Sequence, residues 1–162
     1  LGCEINLLKP ALASFKGVKR RFTYHVRNEN KIYIDDYAHH PEEINSVFQG
    51  IKEIYPDQDI LVAFQPHLFS RTRDFADEFA ESLSQFDAVL LLDIYPARET
   101  PIDGINSLWL LDKIDSPIKK LVGKSELPAE ILSQDMKINI TMGAGDIGEE
   151  CIKIKNSLKH AS

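Results

Sequence analysis

The chain has 162 residues, a formal net charge of −6 and 43% hydrophobic residues, which suits one domain with a real core and an ordinary globular composition. The acidic balance argues against a general nucleic-acid binder, which would be basic, but it leaves room for a local cationic pocket. No apolar run reaches the roughly 18 residues of a transmembrane helix, and no basic-then-apolar stretch marks a signal peptide.

Residues 4–15 carry a short helical pattern (Ile5, Leu8, Leu12, Phe15) interrupted by Pro10 and ended by Gly17. Arg21 to Val26 and Lys31 to Ile34 alternate around Asn28-Glu29-Asn30 and read as a β-hairpin. From Pro41 the period changes: Ile44, Val47, Phe48, Ile51, Ile54 and Tyr55 predict an amphipathic helix. Pro41 suits its first turn, and Glu42 and Glu43 sit where the helix dipole favours anions.

Ile60 to Phe64 is a continuous apolar run, as in a strand buried on both faces, and a helix is expected from about Arg73 to Leu83. Ala88 to Leu92 is a second buried strand. Tyr95 to Asn106 is a Pro/Gly loop, after which Ser107 can cap a short helix through Leu111. Ile118 to Val122 reads as a strand, Ala129 to Leu132 as a helix, Ile138 to Met142 as the last strand, and Asp146 to Leu158 as the final helix. Alternating strands and helices imply an α/β fold: a mainly parallel, Rossmann-like sheet with helices on both faces and an N-terminal antiparallel hairpin.

In such sheets ligands bind beyond the carboxyl ends of the strands. The unusual polar segments all follow strands: Asp35–His40, Gln65–Asp74, Asp93–Glu99 and Gly143–Gly148. Asp35-Asp36-Tyr37-Ala38-His39-His40-Pro41 crowds carboxylates, a phenol and imidazoles together, which is costly for folding unless they have partners. Metal ligation, a structural polar turn, and substrate or nucleotide contact are the readings open to it, the last favoured. Adjacent His39 and His40 point in different directions, which counts against one shared ion, and no metal site is expected.

Arg71 and Arg73 offer planar donor forks for a carboxylate or phosphate, beside His67. Pairing with Asp74, Asp77 and Glu78 at helical spacing accounts for Arg73 but less well for Arg71 and His67. Gly143-Ala144-Gly145-Asp146-Ile147-Gly148 matches G-x-G-x-x-G, yet no further strand follows to carry a ribose-binding acid about 20 residues on. A tight turn and an anion site at the helix start both remain open there. Cys3 and Cys151 are isolated and read as free thiols of a reducing cytoplasm. A first residue of Leu rather than Met suggests a piece of a longer chain.

The ordered segments Phe15-Lys16-Gly17-Val18-Lys19-Arg20-Arg21-Phe22, Asp35–Pro41, Phe64–His67 with Ser70–Asp74, Asp93–Glu99 and Gly143–Ile147 closely resemble the C-terminal domain of the Mur ligases. The resemblance covers essentially the whole chain and is nearest to the members that add L-alanine to UDP-N-acetylmuramate in bacterial peptidoglycan synthesis. It implies an ATP-dependent amide-forming ligase working in the cytoplasm through an acyl phosphate, with Mg²⁺. Residues 1–15 would be the tail of the preceding central domain and 16–162 the amino-acid-binding domain. The N-terminal and central domains of the same polypeptide would be its partners and would bind most of the ATP and Mg²⁺, so the isolated domain is expected to be inactive.

By the same resemblance Tyr37, His39, His67 and Arg71 would hold L-alanine, and Arg21 and Asp36 would contact the nucleotide. His39 and His67 are the candidates for meeting the reacting amine. Leu68 follows His67 where many relatives carry a second Arg, so Arg71 is expected to carry more of the carboxylate recognition. The related ligase that reattaches recycled tripeptide is an alternative within the family. A non-catalytic nucleotide- or dinucleotide-binding module is the alternative outside it.

Overall fold

Asn28 closes the first hairpin with its own side chain: its Oδ1 accepts the N–H groups of Asn30 at 3.0 Å and Lys31 at 2.7 Å. The computed structural model describes residues 4–15 and 17–160. The hairpin strands are β1 (Thr23–Arg27) and β2 (Ile32–Asp36), antiparallel with a register irregularity between Tyr24 and Val26. The other strands are β3 (Ile60–Phe64), β4 (Ala88–Leu91), β5 (Ile118–Leu121) and β6 (Ile138–Met142). The sheet order is β1-β2-β6-β3-β4-β5, parallel throughout except for the β1–β2 pair. The last strand in sequence thus enters the middle of the sheet, pairing Ile138 with both Ile32 and Ile60.

The strand alternation divides the core in two. Ile32, Ile34, Val62, Phe64, Val89, Leu91, Ile138 and Ile140 face α2 (Pro41–Ile54), α4 (Ala76–Leu83) and α5 (Ser107–Lys113). Tyr33, Leu61, Ala63, Ala88 and Leu90 face α6 (Leu127–Ser133) and α7 (Cys151–His160). Period-2 strands packed against period-3.6 helices leave both faces covered, as a parallel sheet requires. β5 is the exposed edge, and Lys119 and Lys120 on it discourage further strand pairing. The first helix, α1 (Ile5–Ser14), leaves Leu7, Leu8 and Leu12 exposed, as are Phe15 and Val18 beyond it.

Several boundaries differ from the sequence expectations. The helix expected from Arg73 begins earlier and is broken: α3 (Phe69–Asp74) precedes α4, with Phe75 between them at φ −119° and ψ 27°. Asn106, not Ser107, caps α5, because its Oδ1 accepts the Trp109 N–H at 2.9 Å while the Ser107 hydroxyl donates to the Leu92 carbonyl. The expected last helix starts as a 3₁₀ turn at Asp146–Glu150 and becomes regular only from Cys151. Asp35 and Asp36 lie within β2 rather than beyond it. Cys3 and Lys16 lie outside the described residues, and Cys151 is a buried free thiol.

Candidate functional site

After β3 the chain turns to the α4 face and after β6 to the α7 face, so a crevice opens between their adjacent carboxyl ends. Gln65, the first residue past β3, occupies it: Nε2 donates to Asp146 Oδ1 at 2.7 Å and Oε1 accepts the Ile147 N–H at 2.9 Å. The glycine motif serves this packing. Gly143 has φ +142°, a Cβ on Gly145 would stand 2.7 Å from the Tyr95 Cβ, and one on Gly148 would stand 2.7 Å from the Arg20 guanidinium carbon. These close approaches of Gln65, Tyr95 and Arg20 account for the glycines without a dinucleotide.

Arg20 joins three segments. Its Nε donates to Asp35 Oδ2 at 2.9 Å, its Nη2 to the Gly143 carbonyl at 2.8 Å, and its guanidinium lies 5.2 Å from the centre of the Tyr37 ring. Asp35 also accepts from the Thr141 hydroxyl at 2.9 Å. Asp36 points to the other face of β2, where its oxygens accept the N–H groups of Phe22 at 2.7 Å and Ala38 at 2.8 Å. It is 4% exposed, so the carboxylate first shapes the turn that presents Tyr37. Each oxygen keeps a second lone pair. Arg21 is exposed, 3.7 Å from Glu43 and 5.9 Å from the Tyr37 ring centre. A cleft of about 360 Å³ runs between Arg20, Tyr95 and the Ala144–Glu149 turn.

The predicted amino-acid residues come together. The rings of Tyr37 and His39 are 5.4 Å apart, those of His39 and His67 6.1 Å, and Arg71 Nη1 is 3.5 Å from His67 Nδ1. His39 Nδ1 lies 2.9 Å from the Tyr37 carbonyl and 3.2 Å from Glu43 Oε2, so a proton there leaves the ring's lone pair on Nε2. His40 turns away and packs its ring against Phe75 at 4.7 Å. Arg73 pairs with Asp74, whereas half-buried Arg71 has no carboxylate partner among the described residues. Tyr95, unassigned by sequence reasoning, stacks on His67 at 5.7 Å and 17°. The signals for it were its place in the long loop after β4 and within the family-like segment Asp93–Glu99.

Burial, then the charges of Arg71 and His39, hold the His67 imidazole below its ordinary value of 6.5. The unfolded chain therefore takes up this proton first. Stability from this group is complete above pH 6.5 and falls as pH drops through the folded value. An NMR titration of the His67 ring should give a midpoint below 6.5 that moves upward in Arg71→Ala. A midpoint at or above 6.5 would contradict this electrostatic account.

Neither Asp35 nor Asp36 is arranged for Mg²⁺, because the first is neutralised by Arg20 and the second is held by backbone donors. Among the described residues, His25, Asp35 and Cys151 alone bring three potential ligand atoms within 4.8 Å. There the Arg20 guanidinium already bonds to Asp35 and opposes a second cation. Asp35, His39 and His67 do not form such a group. No helix of the described residues is long and apolar enough to cross a membrane.

Residues 20–144 match the family described as Mur ligase, glutamate ligase domain. The chain is 59% identical over 157 residues to the UDP-N-acetylmuramate–L-alanine ligase of Flavobacterium psychrophilum, covering 97% of this chain and 35% of that protein. It is 44% identical over 159 residues to the ligase of the same name from Porphyromonas gingivalis, covering 98% and 35%. The fold superposes on the Thermotoga maritima UDP-N-acetylmuramate-alanine ligase with TM-score 0.76 and 27% identity, covering 99% of this chain and 35% of that one. A murein peptide ligase from Psychrobacter arcticus shares the fold, with TM-score 0.68 and 19% identity over 97% of this chain and 33% of that one. The chain thus spans about a third of the length of the curated relatives it matches.

Proposed function

The chain belongs to the Mur ligase family, through its glutamate ligase domain, and from that premise we propose that it is the amino-acid-binding part of an ATP-dependent ligase joining L-alanine to UDP-N-acetylmuramate. In this reading residues 1–15 are the tail of a central domain and 16–162 the C-terminal domain. The exposed apolar side chains of α1 support that division. The N-terminal and central domains of the same polypeptide hold the UDP sugar and most of the ATP and Mg²⁺, and the enzyme works in the bacterial cytoplasm. Mg²⁺, held there, would offset charge on the transferring phosphoryl group.

The observation that carries the reading is the half-buried Arg71, beside His67 and without a carboxylate partner among the described residues. A guanidinium in that state is suited to an amino acid's carboxylate, which it can grip with two parallel hydrogen bonds. Phosphoryl transfer makes the lactyl carboxylate an acyl phosphate. The alanine amine attacks the acyl carbon, its extra proton leaves, and phosphate departs from the tetrahedral intermediate. Arg71 fixes the alanine carboxylate while Tyr37, His39 and His67 confine the amine, so the gain comes largely from orientation. The lone pair on a His39 or His67 nitrogen is the acceptor nearest the amine. Arg21 and the second lone pairs of Asp36 face the nucleotide.

The test is product formation. This chain alone should release no phosphate from ATP. The complete polypeptide should release it only with UDP-N-acetylmuramate and L-alanine both present. Turnover with the L-alanyl-γ-D-glutamyl-meso-diaminopimelate tripeptide in place of L-alanine would favour the tripeptide ligase instead.

A further inference from the structure

We propose that Glu99 is a positioning residue for the amino-acid pocket: reaching across from the loop after β4, its carboxylate caps the start of α3 and so holds Arg71 and His67 in place. This rests on the reading of Arg71 and His67 as amino-acid ligands.

A six-residue helix is marginal by itself, and its first N–H groups need partners from outside. The residue at the N-cap position of α3 is Leu68, which has no polar side-chain atom to offer. Its φ of 74° is a conformation that side-chain-bearing residues rarely adopt, so something else must hold the chain there. Glu99 meets the first need. Its Oε2 accepts the Ser70 N–H at 2.9 Å and its Oε1 accepts the Ser70 hydroxyl at 2.5 Å.

The loop that carries Glu99 is itself tied down. The Leu68 N–H donates to the Tyr95 carbonyl at 2.9 Å, and the Tyr95 N–H donates to the Pro66 carbonyl at 2.8 Å. The Glu99 N–H closes a turn onto the Pro96 carbonyl at 2.8 Å. His67 is clamped between this backbone pairing and the stacked Tyr95 ring, and Arg71 follows directly on the capped Ser70. A shift at the start of α3 therefore moves both functional side chains together.

Charge placement matters as much as geometry. The Ser70 hydroxyl and then its backbone N–H claim the Glu99 oxygens and hold the carboxyl below the usual carboxylate range. Arg71 has no acidic partner among the described residues and is free for a substrate carboxylate.

The experiment uses the complete enzyme, with KM for L-alanine, KM for ATP and kcat measured for Glu99→Ala, Glu99→Gln and Arg71→Ala. Glu99→Ala should raise the alanine KM about tenfold, as loss of positioning does, with kcat and the ATP KM within about twofold. Glu99→Gln keeps one acceptor oxygen and should fall between wild type and Glu99→Ala, and it carries the test should Glu99→Ala fail to fold. An alanine KM within about twofold of wild type in the folded Glu99 variants, while Arg71→Ala raises it, would overturn the role of Glu99 alone. An unchanged alanine KM in Arg71→Ala would overturn the pocket itself and the role of Glu99 with it.

Discussion

Replacing Arg71 by alanine in the complete enzyme should raise the KM for L-alanine about a hundredfold or more, since losing a hydrogen-bonded charge partner costs about 3 kcal/mol. The guanidinium sits beside His67, 3.5 Å from its Nδ1, with no carboxylate among the described residues to neutralise it. The alanine carboxylate would be present equally in the ground and transition states, so the loss should fall on KM more than on kcat. Arg71→Lys should recover only part of it, because an ammonium is a point charge and cannot reproduce the planar fork. The departure at Leu68 sharpens the prediction: a neutral side chain stands next to His67, so little else on this segment can take over. An alanine requirement that does not change in Arg71→Ala would sink the pocket assignment. The KM values for ATP and the UDP sugar serve as controls and should stay within about twofold.

Arg20→Met should destabilise this chain by about 3 kcal/mol at pH 7, because removing one partner of a buried pair strands the other charge. Asp35 is 1% exposed and takes the guanidinium at 2.9 Å, with Thr141 as its other donor. The same guanidinium holds the Gly143 carbonyl and lies against Tyr37, so its loss frees the turn after β6 as well. Urea denaturation of the isolated chain measures the effect. Arg20→Met combined with Asp35→Asn should be more stable than Arg20→Met alone, since the stranded charge is gone. A loss below about 1 kcal/mol for Arg20→Met would mean that the pair behaves as an exposed one.

Much of the fold was legible because burial leaves a periodic trace. Ile44, Val47, Phe48 and Ile51 announce α2, and the unbroken apolar runs of β3 and β4 announce strands covered on both sides. The break at Phe75 left no such trace. It arises where α3, capped from another loop, meets α4 packed on the core. The Asn106 cap was missed for a similar reason. Ser107 is equally able to cap, and only its bond to the Leu92 carbonyl shows that it is committed elsewhere.

The candidate site divides along the same line. Sequence by itself determined which chemical groups gather at the carboxyl ends of the strands, since that follows from topology and from motif positions after β2, β3, β4 and β6. It also carried the family resemblance, which is written in those short segments. Only the tertiary structure decided what each group does there. Asp35 and Asp36 are neighbours in sequence, yet the pleat sends one to Arg20 and the other to the N–H groups of Phe22 and Ala38. Arg20 and Arg21 are adjacent, yet one is committed to a buried carboxylate and the other is exposed. The glycine motif, which in sequence left both a tight turn and an anion site open, is packed closely by Gln65, Tyr95 and Arg20. Periodicity records which side faces the core, whereas the partner of a polar side chain is set by residues up to 123 positions away in the chain.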